Sequence, residues 1–136
     1  MLLRNILRTI FSVFFLIGAF VNGTTVFLMP EVYASFAQDA FFPFYTHLWA
    51  SLVFPHIQLW ILLVVLFELT LCVLLLSEGV RTRTGLLVAA VFMFLLVPFW
   101  WNGASLFNVW FGLTMLWLSR TEFPQTIGEL LKNRKS

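Results

Sequence analysis

Glu68 stands in the middle of an apolar run, eleven residues after Ile57 and nine before Ser77. Burying its charge in hydrocarbon costs several kcal/mol, so such a carboxyl needs either a partner or a task. Desolvation favours its neutral form, which donates a hydrogen bond. Two chemistries follow. Glu68 can staple helices together, or it can hold a proton, a quinone or a lipid head. Asn22, His56 and Asn108 are the other polar side chains that could serve ligand binding or proton handling. No residue is assigned a catalytic role. His47 and His56 are nine apart, on opposite faces of one helix, so they are not a metal pair, and no metal site is expected. They read as interfacial anchors or, for function, as a gate or donor at the outer mouth. His56 is also about 18 Å along a helix from Glu68, too far to form an acid–base couple. The lone Cys72 cannot form an internal disulfide and reads as a small buried hydrophobe. No phosphate loop, zinc spacing, nucleophile elbow or triad pattern occurs.

The elements that must position these residues follow from composition. The 136 residues are 61% apolar, 18% aromatic and 10% charged, with mean hydropathy +0.96. Seventeen Phe and six Trp against fourteen charged residues cannot give a soluble surface. Disorder, nucleic-acid binding and a disulfide scaffold are excluded, and there is no room for a soluble catalytic domain. The spans carry too few polar groups for an ion path, and no inverted transporter repeat is visible.

Apolar stretches at about 6–28, 57–77, 85–101 and 104–119 predict an all-α, polytopic membrane protein, an antiparallel four-helix bundle forming a single domain over 1–136. The last two are short. They cross if Arg120 snorkels and Trp100, Trp101 and Trp117 sit at interfaces; the alternative is a re-entrant hairpin turning at Asn102-Gly103. Arg4, Arg8, Arg81, Arg83, Arg120, Lys132, Arg134 and Lys135 all fall on one side of four crossings, so both termini are expected in the cytoplasm of a multi-pass protein, in a bacterial inner membrane. The first run also resembles a signal peptide with Val21-Asn22-Gly23 as a weak cleavage site, but it is too long, and retention as a span is expected.

Residues 30–55 form the sizeable extracytoplasmic segment. It holds Glu31 and Asp39, no basic residue and many aromatics, a mix suited to lipid headgroups. Pro30–Ala40 is expected to be one interfacial helix opened by its proline, and 44–54 an apolar lead-in to the second span, which Pro55 starts or kinks. In the tail at 120–136, Thr126 and Glu129 have capping-box spacing ahead of a short helix whose basic end touches anionic lipid.

Small residues mark helix contacts in lipid. Ala19 and Gly23, with Gly18, Asn22 and Thr25, mark the first span; Gly85 and Ala89 the third; Ser105, Asn108 and Gly112 the fourth. Gly85, Gly112 and Pro98 are therefore assigned structural roles. Pro98 frees the carbonyl of Phe94, and counting from the cytoplasmic ends puts Phe94 at the depth of Glu68. A Glu68–Phe94 staple between the second and third spans is the expectation.

The stretch Phe67-Glu-Leu-Thr-Leu-Cys-Val-Leu-Leu-Leu-Ser-Glu-Gly79, then Arg81-Thr-Arg-Thr-Gly85, the apolar third span and Trp101-Asn102-Gly103, resembles DoxX-like membrane proteins over roughly residues 59–119. Glu68 matches that family's span-two Glu, and Arg81 or Arg83 its turn Arg. Leu71 and Cys72 stand where glycines often follow in the family. The resemblance implies an accessory subunit of a membrane redox system, binding a small lipophile such as a quinone or lipid with no intrinsic cofactor. The alternative is a membrane scaffold or assembly factor. Expected partners are membrane lipids and a second copy or a partner membrane protein, not nucleic acid.

Overall fold

The computed structural model describes residues 2–99, 101 and 103–133. Its helices are α1 (Leu2–Leu28), α2 (Pro43–Leu48), α3 (Ile57–Leu76), α4 (Gly79–Leu96), α5 (Gly103–Leu118) and α6 (Ile127–Asn133). Three helical runs, Leu2–Leu28, Pro43–Leu76 and Gly79–Phe99, are long and apolar enough to cross a membrane, and α5 is a shorter apolar helix of 16 residues. Trp100, Asn102, Arg134 and Lys135, invoked above as anchors, turn and basic tail, lie outside the described residues.

Proline and glycine set the boundaries. Pro30 pushes Met29 out of the helical region (φ −145°, ψ 57°) and ends α1. The single helix expected over 30–40 is not formed. Pro30–Ser35 is one 3-10 run, followed by turns to Asp39. The backbone there pairs across the molecule instead of along a helix: Phe41 N–H donates to the Pro98 carbonyl (2.8 Å) and Trp101 N–H to that of Asp39 (2.9 Å).

Pro55 cannot donate to the Ser51 carbonyl and crowds it. The ladder between α2 and α3 accordingly loosens to a π turn over Trp49–Val53 and tightens to a 3-10 turn over Phe54–His56, without breaking the helical run. Helix α4 starts at Gly79, six residues before the expected 85, so Arg81 and Arg83 are helical and not in a loop. Gly79 has φ +56°, a left-handed turn that a side chain resists, and it reduces the α3–α4 connection to Ser77 and Glu78.

The buried stripe of α1 runs Arg8, Ser12, Phe15, Ala19, Val26, at helical three-and-four spacing. It faces Ile57, Ile61, Glu68, Cys72 and Leu75 of α3. The two helices run antiparallel: Ser12 Oγ donates to the Cys72 carbonyl (3.0 Å) near one end, and Gly23 lies beside Val65 further along. A methyl group on Gly85 would come 2.8 Å from Leu74 Cβ, which is how closely α4 approaches α3, and one on Gly112 would come 2.7 Å from the Phe94 ring where α5 meets α4. Phe11 and Phe14 each stack against Phe111 at 5.1 Å, joining α5 back to α1. Large apolar side chains cover the outside, Phe20 at 73% exposure and Leu106 at 74% among them.

Candidate functional site

Glu68 is 6% exposed on the α1-facing side of α3. Its carboxyl accepts from one amide: Asn22 Nδ2 lies 3.0 Å from Oε2 and 3.2 Å from Oε1. Gly18 makes the space, since a methyl group there would stand 2.6 Å from Oε1. The Asn22 amide is oriented from its other end, where the Tyr33 hydroxyl donates to Oδ1 at 3.1 Å. Tyr33 belongs to the 3-10 run outside the long helices, yet it is only 2% exposed. Burial, and then the nearby Glu68 carboxyl, push its phenol above the ordinary tyrosine range. It therefore stays protonated and donates. The Tyr33 carbonyl in turn accepts from the Trp49 indole N–H (2.7 Å), and the Phe36 ring sits between the two side chains, 5.3 Å from Tyr33 and 5.5 Å from Trp49. The result is a chain of hydrogen bonds, Trp49 to Tyr33 to Asn22 to Glu68, running from the capping segment into the helix interface.

This arrangement replaces the expected Glu68–Phe94 staple. The Phe94 carbonyl accepts the Val97 N–H in the turn around Pro98, and the Glu68 carboxyl points away from it, to Asn22 on α1. Matching depth did not fix direction around the helix. Phe67, one residue before Glu68, is the side chain that faces α4, with its ring 4.9 Å from Phe92.

The other candidates do not join the cluster. His56 is exposed at the start of α3 and lines a groove with Pro30, Pro55 and Gln58. Asn108 is buried on α5, with its Nδ2 unpartnered. Cys72 is buried against Ser12, Sγ to Oγ 3.2 Å. Pro98 ends α4, and its carbonyl clasps the first connection; Gly85 and Gly112 are contact points between helices. Among the described residues no three His, Cys, Asp or Glu side chains gather as a metal set would require.

A second buried ionisable side chain lies at the opposite end of the α1–α3 pair. Arg8 is 0% exposed; Nη1 donates to the Ser77 carbonyl (2.9 Å), Nη2 to that of Gln125 (2.7 Å), and the guanidinium covers the Phe123 ring at 4.6 Å. Gly79 N–H donates to the Phe123 carbonyl (2.7 Å), and Arg83 Nε to that of Ser119 (3.0 Å). Arginine stays charged, and this one sits where the α3 carbonyls leave partial negative charge. Reading Arg8 only as a topology signal missed this role. Its position in phase with Ser12, Phe15, Ala19 and Asn22 is the signal that reveals it.

No protein-family model matches the chain, and neither the curated proteins nor the solved structures contain one significantly similar to it.

Proposed function

We propose that the chain is a multi-pass membrane protein in which α1, α3, α4 and α5 all cross, with residues 30–55 at the outer interface and both termini in the cytoplasm of a bacterial inner membrane. With four crossings, all eight Lys and Arg fall at the helix ends or connections of one side, Arg4 and Arg8 in the first turns of α1 and Arg81 and Arg83 in those of α4, and Glu31 and Asp39 fall on the other. Helix α5 spans about 24 Å, so Trp117 and Arg120 reach the interface for it. Its task is that of an accessory subunit holding a small lipophile, a quinone or a lipid, at Glu68, similar to DoxX-like proteins.

One observation carries this reading. Glu68 takes both of its hydrogen bonds from a single side-chain amide. A carboxyl accepts about four hydrogen bonds, or donates one when neutral. Capacity therefore remains for a ligand carbonyl or hydroxyl, and Asn22 holds the group ready. The test is native mass spectrometry of gently solubilised protein with quinone and lipid extraction. A stoichiometric molecule present in wild type and absent from Glu68→Gln supports the reading; the same molecule in both contradicts it.

A scaffold role is the second reading. Phe41, Phe42 and Phe44 stand half or more exposed on the first connection, a surface fit for a partner membrane protein or a second copy. A stable complex lost on replacing these three by Ser, with no small molecule bound, would favour it.

A further inference from the structure

The segment nearest Glu68 is tied to α1 through Tyr33, which is in turn braced by Trp49 at a deformed stretch of helix. Tyr33 reaches down to Asn22, and the Trp49 indole fixes the Tyr33 backbone from above. Trp49 opens the π turn Trp49–Val53, which is followed at once by the 3-10 turn at Pro55. A π turn holds one more residue per hydrogen-bonded ring than an α turn, and such segments collect at functional sites. Shifting it by one residue would swing Trp49 about 100° around the axis of the run leading into α3. The remainder of the segment stays anchored: Thr46 Oγ1 donates to the Ala37 carbonyl (2.7 Å), and the backbone at 39–41 is clasped to the α4–α5 turn. Between Pro30, which opens the Tyr33 segment, and Pro55, which follows the π turn, lies a groove of about 450 Å³ also bordered by His56 and Gln58.

From this geometry we propose that Tyr33 and Trp49 form a latch over Glu68, that a shift of the Trp49–Val53 π turn withdraws the indole from the Tyr33 carbonyl and lets the Tyr33 lid loosen, and that a lipophile with a polar head then reaches Glu68 from the outer face. The inference rests on the reading of Glu68 as a ligand-holding group. Its test nevertheless needs no ligand. The detergent-solubilised protein is treated with a water-soluble carbodiimide and an amine, and modification of Glu68 is measured by mass spectrometry relative to exposed Glu31. Trp49→Phe removes the indole donor, and Tyr33→Phe removes the hydroxyl. Each is expected to raise Glu68 modification about fivefold, the population shift that follows from losing one hydrogen bond. Phe67→Ala, which widens an apolar groove between α3 and α4 lined by Leu63, Phe67, Val88 and Phe92, should leave the rate unchanged. Maleimide labelling of buried Cys72 serves as the internal reporter and should also stay unchanged.

Equal Glu68 labelling in wild type and both lid variants overturns the lid. So does a rise matched by Phe67→Ala, or one accompanied by a rise at Cys72, which would mean general loosening. Failure of the ligand reading appears elsewhere, as an unchanged bound molecule in Glu68→Gln, so the two are distinguishable.

Discussion

Arg8 and Glu68 are both buried along the α1–α3 interface, and they are held in opposite ways. Arg8 grips backbone carbonyls from Ser77 and Gln125, chain positions 69 and 117 residues away. Those acceptors exist whatever side chains occupy the positions, so the grip ties three chain segments into one end of the molecule. Glu68 is held by one side chain, which is itself held by another. Its direct partners are side chains alone. Arg8 is fixed to backbone and Glu68 by exchangeable side chains, which is why we assign the fold to the first and the ligand to the second.

The contrast can be broken most severely at Arg8. Arg8→Leu strips the Ser77 and Gln125 carbonyls of charged donors and should cost about 3 kcal/mol or more, read as a fall in thermal midpoint in detergent. Arg8→Lys should recover only part, because one ammonium cannot fork to both carbonyls. A wild-type midpoint in Arg8→Leu would show that the grip contributes nothing. Next is Gly85→Ala, where the new methyl group meets Leu74 Cβ at 2.8 Å and overpacking should cost about 2 kcal/mol. Glu68→Leu leaves the half-buried Asn22 amide without its acceptor and should cost about 1–2 kcal/mol. Glu68→Gln, whose amide oxygen can still accept from Asn22, should cost less than about 1 kcal/mol while losing the bound molecule. Smallest is Thr126→Ala. Glu129 N–H donates to the Thr126 hydroxyl (3.2 Å) and Thr126 N–H to the Glu129 carboxylate (2.9 Å). Losing this box should cost about 1 kcal/mol, seen as faster hydrogen exchange confined to α6.

These regions also differ in how legible they were. The capping box at Thr126 was readable because its geometry is local. The long helices were readable because apolar runs end before Pro30, begin after Pro55 and end at Ser77, while the start of α4 was missed because its first turns, residues 79–84, are largely polar. That Glu68 would be buried followed from its run, but its partner did not. Depth along two helices can be counted from sequence; direction around the axis is set by packing, and Glu68 turned toward α1 while Phe67 took the α4 side. Arg8 was hidden by its resemblance to an ordinary basic flank. Tyr33 and Trp49 were hidden for another reason. The connection at 30–55 strings 3-10, α and π turns together, so it has no single period from which a buried face can be read.

The most direct measurement pairs bound-molecule stoichiometry with the thermal midpoint for wild type and Glu68→Gln in one preparation. The account predicts that the molecule is lost while the midpoint, measured on ligand-stripped samples, moves by less than about 4 °C, the shift that about 1 kcal/mol produces in a domain of this size. A retained molecule with a midpoint lowered well beyond that would make Glu68 a structural group like Arg8, and would contradict it.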